Sequence, residues 1–267
     1  MAKILWLSDS CLGVTGFGTQ SKELCNRLHK QGHEVINLSW NYTGKDLKAV
    51  TTVEGEEIPY KIVGGTPNVP YARQVLQSII NREKPDLFGT LLDTFMFKDG
   101  NPNLRPWICD VELPKSVMWY PSDGGWFPYN CEQVLRRFTK SVAMAQFGQE
   151  QVKRLHNIDS EYIQHGVDTQ RVFYPAKNKQ DLKEKYTNQW GLELRDKFII
   201  GSVFRNQPRK FPDRLIRSFA MLRQKRDDVV LMLHTDPDDC SSPTDLRFLA
   251  QRYGCADRIF FTGMKWY

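Results

Sequence analysis

Two stretches of this sequence combine residue types that could hold a phosphate-bearing ligand. The first, Gly13-Val-Thr-Gly16-Phe-Gly18, falls between an apolar segment, Lys3 to Ser8, and a segment that sets Leu24 and Leu28 four apart. A helix starting there presents unpaired N–H groups and the positive end of its dipole, and glycine lets a ligand come close to the backbone. The second, Arg205-Asn-Gln-Pro-Arg209-Lys210, follows the apolar run Phe198 to Val203 and precedes a helix opening at Pro212. Arginine grips a phosphate through parallel N–H donors, lysine supplies a point charge, and the helix dipole adds to both. A diphosphate is the ligand such a loop suits. The structural alternatives are a turn that merely needs positive φ for the first stretch and a solvated loop for the second. Position at the carboxyl end of a strand, where α/β folds bind ligands, favours the ligand for the basic loop.

The spacing narrows the chemistry. GxxGxG is not the dinucleotide GxGxxG, and no GxxxxGK[ST] occurs, so nicotinamide dehydrogenases and P-loop NTPases lose their main support. No HExxH, Cys/His cluster or GxSxG supports a zinc enzyme or a serine hydrolase. Asp236-Pro-Asp238 is formally a DxD, a pattern that can hold a divalent cation against a diphosphate. With Asp239 and a proline adjacent it reads as a polar turn, and a basic loop makes a metal redundant. No metal and no cofactor are expected.

Alternating strands and helices must position these loops. Lys3 to Ser8 reads as a strand, Thr19 to Gln31 as a helix stopped by Gly32, and His33 to Trp40 as a strand, which is one βαβ unit. Val50 to Val63, broken by Gly55, reads as an exposed hairpin insertion. A helix over Tyr71 to Glu83 follows, then strands over Asp86 to Leu92, Ser116 to Tyr120 and Lys140 to Ala145, and a helix over Gln146 to Leu155. Pro175 to Lys185 is charged and without apolar periodicity, as an interdomain linker would be. Beyond it the pattern restarts with strands Phe198 to Val203, Val229 to His234 and Arg258 to Thr262, and helices from Pro212 and Thr244. The expected organisation is α/β with two Rossmann-like domains, 1–175 and 190–267, the second incomplete.

A chain of 267 residues supports two cores of this kind, and 40% hydrophobic with 12% aromatic residues excludes disordered and low-complexity classes. The net charge of +6 is uneven, with 19 cations and 19 carboxylates up to residue 172 but 18 and 12 beyond it. Six scattered cysteines without CxxC or a signal peptide predict reduced thiols in a cytoplasmic protein, and the longest N-terminal apolar run, Ile4 to Leu7, is too short to enter a membrane, so any membrane contact would be peripheral.

The order of Gly13 to Gly18, Asp123-Gly-Gly125, Ala145-Gln-Phe-Gly148, Ile163-Gln-His165-Gly166-Val-Asp-Thr169 with Phe173 and Pro175, and Gly201-Ser-Val-Phe-Arg205 with Lys210 resembles the GT-B glycosyltransferases. More narrowly, it is similar to glycosyltransferase family 4, the retaining nucleotide-sugar enzymes, over residues 3 to 263. The resemblance implies an acceptor held mainly by the first domain, whether sugar, lipid or protein, and a nucleotide-sugar donor held mainly by the second. Arg205 and Lys210 match the positions that hold the donor diphosphate and stabilise the leaving group. Gly13, Gly16 and Gly18 would lie beneath the sugar and phosphate, Gly16 approaching closest. Asp123 stands where many relatives carry a histidine facing the sugar, and reads equally as a plain turn. His165 would contact the donor or fix its own loop. Loops around His234 and Asp236, and around Gly263 and Met264, would border the base and ribose. Relatives continue into a segment with two glutamates eight positions apart that is absent here, so a chain truncated at its C-terminus is expected.

Two other classes compete. Phe204, Phe211 and Phe219 interleave with Arg205, Arg209, Lys210, Arg214 and Arg217, a composition that a nucleic-acid binder shares. Phe219 and Leu215 fall four apart on a helix and read as core, so no nucleic-acid partner is expected. The missing glutamates also permit a sugar-nucleotide binder without catalysis.

Overall fold

A computed structural model describes residues 1–52, 55–98, 104–122, 124, 131–170, 172–190, 193–239, 242 and 244–262. The chain divides into two compact units, Met1–Asp168 and Thr169–Tyr267.

In chain order the first unit contains β1 (Lys3–Ser8), α1 (Gly16–Lys30), β2 (Glu34–Ser39), β3 (Val50–Thr51), β4 (Glu57–Ile58), β5 (Lys61–Gly64), α2 (Leu76–Glu83), β6 (Leu87–Leu91), β7 (Lys115–Tyr120), α3 (Cys131–Arg137), β8 (Lys140–Ala143), α4 (Gln146–His156) and β9 (Glu161–Tyr162). Its main sheet is parallel in the order β5-β2-β1-β6-β7-β8-β9. The order reverses beside β1, which makes the carboxyl ends of β1 and β6 the topological switch point where such sheets bind ligands.

The strands read as continuous apolar runs because both faces of the sheet are covered. Leu5, Leu7, Ile36, Leu38, Phe88, Met118 and Tyr120 point into one core, while Trp6, Val35, Trp119 and Val142 point into the other. Gly89 makes room for this arrangement, since a Cβ there would lie 2.3 Å from the Trp6 ring.

The second unit contains α5 (Lys179–Trp190), β10 (Phe198–Val203), α6 (Pro212–Arg223), β11 (Val229–His234), α7 (Leu246–Arg252) and β12 (Ile259–Phe261), with a parallel sheet in the order β10-β11-β12. Phe204, Ile216, Phe219, Leu231, Leu233 and Leu246 form its core on one face. On the other face Ile199, Val203 and Met232, with Leu182 and Tyr186 of α5, line an apolar cavity of about 480 Å³.

Three expectations change. The end of the expected hairpin is β5, which pairs in parallel with β2 at the edge of the main sheet, while β3 and β4 form an antiparallel ladder. The helix expected from Tyr71 begins at Leu76, because Tyr71 and Ala72 have φ of 60° and 57° and break it. The stretch read as a linker contains the start of α5, whose Leu182 and Tyr186 line the cavity beside the second sheet. No helix among the described residues is long and apolar enough to cross a membrane.

Candidate functional site

The glycine loop joins the carboxyl end of β1 to α1, and buried polar groups fasten it. Asp9, 8% exposed, accepts the Trp40 Nε1–H at 2.7 Å on one carboxylate oxygen and the Thr15 hydroxyl at 2.6 Å on the other. Thr15 caps α1, accepting the Gly18 N–H at 3.0 Å. The Ser10 and Cys11 N–H groups donate to Asn41 Oδ1 and Asn37 Oδ1 at 2.7 and 3.1 Å. The loop is therefore set before any ligand arrives, which is the condition for backbone donors to bind an anion without paying for reorganisation.

The three glycines differ. A Cβ at Gly18 would sit 2.6 Å from the Ser10 carbonyl oxygen, so glycine is needed there for packing, while one at Gly13 would make a tight contact of 3.3 Å with the same oxygen. A Cβ at Gly16 meets nothing within 4 Å. Of the three, Gly16 at the first turn of α1 is the one with open space beside it.

Arg205 and Lys210 fall in one loop, between the carboxyl end of β10 and the start of α6. Arg205 is exposed, and its Nε donates to Asp239 Oδ2 at 3.2 Å. Lys210 ends a 3-10 turn, Pro208–Lys210, and Phe211 then turns into left-handed conformation with φ of 50°. Phe211 precedes α6 and makes no side-chain capping bond, so no capping side chain meets the first N–H groups of that helix. Asn206, buried at 1% exposure, donates its Nδ2–H to the Thr244 carbonyl at 2.8 Å and fixes the loop. Its Oδ1, and Thr235 Oγ1 just past β11, are buried without a hydrogen-bond partner among the described residues.

The remaining expected site residues scatter. Asp123, Gly263 and Met264 lie outside the described residues. His165 packs edge-on against Trp119 with ring centroids 4.5 Å apart, and burial pushes its pKa down, so the ring is neutral at physiological pH. Its loop is tied to α1, because Gln20 Nε2 donates to the Gly166 carbonyl at 2.9 Å. His234 ends β11 and its Nδ1 meets Thr262 Oγ1. Asp236 accepts the Asp238 N–H at 2.9 Å, while Asp238 pairs with Arg247 and Asp239 with Arg205. The DxD stretch is thus a turn whose acids meet a backbone N–H and two guanidinium groups. Phe204 and Phe219 are core, and Phe211 lies under Arg214, 4.3 Å from its guanidinium carbon.

The groups that sequence reading did not single out are Asp9, Thr15, Asn37, Trp40 and Asn206. Thr15 carries a visible signal, a threonine in the residue before a helix whose third residue is glycine. For Asp9 and Trp40, 31 residues apart, periodicity carries none.

Among solved structures, the chain resembles sucrose-phosphate synthase from Thermosynechococcus elongatus, with a TM-score of 0.70 and 14% identity over 99% of this chain and 71% of that one. It resembles a glycosyltransferase from Rickettsia africae at a TM-score of 0.63 and 15% identity, over 98% of this chain and 68% of that one. HepE of Anabaena, solved in complex with UDP and glucose, matches at 0.63 and 16% identity over 99% of this chain and 70% of that one. No family model and no curated protein sequence matches the chain. Agreement at this level across both units shows the fold: the chain has the GT-B type of architecture, two Rossmann-like α/β units, with a three-stranded sheet among the described residues of the second against a seven-stranded main sheet in the first.

Proposed function

We propose that the chain is a glycosyltransferase that moves a sugar from a nucleoside diphosphate sugar to an acceptor, with retention of anomeric configuration and without a metal. The observation that carries this reading is the basic loop: Arg205 and Lys210 flank the uncapped start of α6 at the carboxyl end of β10. A structural neighbour holding UDP and glucose supports the choice of donor class.

In this reading the bond from the anomeric carbon to the diphosphate oxygen breaks, and that oxygen keeps the electron pair. The acceptor hydroxyl bonds to the same carbon, on the face the diphosphate leaves, and its proton passes to the departing diphosphate oxygen. Negative charge builds on the departing diphosphate, so fixed cations and helix N–H donors bind the transition state more tightly than the ground state. The glycine loop is assigned to the sugar and phosphate, with Gly16 as the open position. Asp123 is assigned to orienting the acceptor or a sugar hydroxyl, and His165 to the donor side. The loops at His234 and Asp236, with Gly263 and Met264, are assigned to the base and ribose.

Turnover of a UDP-sugar donor by the Arg205→Ala and Lys210→Ala variants tests this reading. Each should fall by about 10² or more, the effect of deleting a transition-state charge contact. Unchanged turnover removes the mechanism, and an NMR spectrum of the product showing the inverted anomer removes retention.

A further inference from the structure

One face of the second unit's sheet is covered by α6 and α7, which lie against each other and send Ile216, Phe219, Leu246 and Ala250 into the core. Their opposite sides form the outer layer of that unit. On α6 the stripe farthest from the core carries Arg214, Arg217 and Met221, three and four residues apart, and Lys225 in the turn that follows continues it. On α7 the corresponding stripe carries Phe248, Gln251 and Arg252. All seven side chains are exposed.

The charge of this layer is one-sided. Arg214, Arg217, Lys225 and Arg252 meet no carboxylate among the described residues, because the neighbouring acids are engaged elsewhere: Asp257 by Arg223, Asp228 by Arg226 and Asp238 by Arg247. Asp245 caps α7, accepting the Phe248 N–H at 2.8 Å. Asp213 is exposed but falls about 100° around α6 from Arg214, off the stripe, where it suits the positive end of the helix dipole. Asp227 lies beyond the stripe, in the turn to β11.

The same layer exposes large apolar groups. Met221 is 60% exposed and Phe248 is 54% exposed. One such residue on a surface is ordinary, but one on each of two adjoining helices, set among unpaired cations and pointing away from the core, is the composition of a surface that meets lipid. Cations there are drawn to anionic headgroups, and apolar tips enter the boundary between headgroups and acyl chains.

We propose that the outer layer of α6 and α7 docks on an anionic membrane surface, with Arg214, Arg217, Lys225 and Arg252 on the headgroups and Met221 and Phe248 inserted between them. Charge complementarity selects the partner. A nucleic acid would share the charge but would need aromatic faces on which to stack bases. Phe211, the aromatic residue that precedes α6, has its ring beneath the Arg214 guanidinium at 4.3 Å, and Phe248 stands singly on a convex helix. The surface goes beyond the glycosyltransferase reading and does not rest on it.

Flotation of the 267-residue chain with lipid vesicles tests the proposal. Vesicles of phosphatidylcholine mixed with an equal amount of phosphatidylserine should bind it at least tenfold more tightly than phosphatidylcholine alone. Sodium chloride at about 1 M, where the Debye length is about 3 Å, should release it. Each cation at an anionic surface is worth about fivefold in binding, so Arg217→Gln combined with Arg252→Gln, one from each helix, should weaken it about twentyfold. Met221→Ser combined with Phe248→Ser should weaken it about tenfold, as loss of inserted apolar surface does. Both double variants should keep the parent's unfolding transition, and Arg27→Gln, an exposed cation on α1 of the first unit, should bind as the parent does. Equal binding to the two kinds of vesicle, or either double variant binding as well as the parent, overturns the proposal. Tighter binding to single-stranded DNA than to the mixed vesicles, lost in Arg217→Gln with Arg252→Gln, overturns it in favour of a nucleic acid.

Discussion

In the first unit the glycine loop is fastened by Asp9, Asn37, Asn41 and Thr15, all acting within ten residues of one another along the loop or reaching it from β2 and the turn beyond. In the second unit the basic loop is fastened through Asn206, and its two cations reach out on long side chains, Arg205 meeting Asp239. The difference follows from what each loop has to offer. Backbone N–H groups cannot move independently of the chain, so a cradle made of them must be set in advance. Guanidinium and ammonium groups on flexible stems can close on a charge after it arrives, so their loop needs less rigidity. Stability is therefore invested in the first loop, and transition-state charge contacts are assigned to the second.

The sharpest test of that contrast is steric. Gly18→Val places new carbon atoms against the Ser10 carbonyl oxygen, where even a Cβ would lie at 2.6 Å, and should destabilise the first unit by about 3 kcal/mol, read as the urea midpoint. Gly16→Ala has free space and should leave the midpoint unchanged or raise it, since alanine is the better helix residue. Equal losses from the two substitutions would mean the loop is not packed as described.

The next test compares one acid from each loop. Asp9→Ala leaves the Trp40 N–H and the Thr15 hydroxyl without their acceptor and should cost about 2 kcal/mol. Asp239→Ala releases an arginine whose side chain is 47% exposed, and should cost at most about 1 kcal/mol. A larger loss at Asp239 would reverse the comparison.

The smallest effect concerns acid. Burial opposes ionisation of Glu83, but hydrogen bonds from Lys61, Arg82 and Lys3 outweigh it and hold the carboxyl at about 2, below its ordinary value of 4.5. A carboxyl lowered on folding stabilises the native state above its unfolded pKa, and that contribution is lost as pH falls through about 2. Screening around the exposed Arg82 leaves it on the order of 1 kcal/mol. Glu83→Gln should flatten the pH dependence of urea stability between pH 4.5 and 2. The exposed Arg226–Asp228 pair of the second unit is a single surface pair, and Asp228→Asn should change stability by less.

Much of this molecule is legible in local pattern. Lys3–Ser8, Phe198–Val203 and Val229–His234 are strands with the bounds their apolar runs predict, because a continuous apolar run ended by polar residues is a property of neighbouring residues. Pro212 marks the start of α6 for the same reason: its fixed φ and missing N–H suit a first turn wherever the helix lies. The glycine and basic loops could be found by composition and by their place after strands.

Tertiary structure decided the rest. Lys61 to Gly64 looks like half of a hairpin until β2 offers it a parallel edge. Lys179 to Trp190 has no strong apolar stripe, and only the sheet beneath Leu182 and Tyr186 makes it part of the second unit. The helix expected at Tyr71 breaks at the positive φ of Tyr71 and Ala72, where Tyr71 packs at a tilt against Trp40, which is held by Asp9. Arg73 and Lys98 come to line one cavity only because the loops after β5 and β6 meet. Periodicity reports which face of its own segment a residue occupies, whereas a carboxylate's partner or a cavity's lining depends on chain ends brought together across the sheet, which no window of neighbouring residues contains.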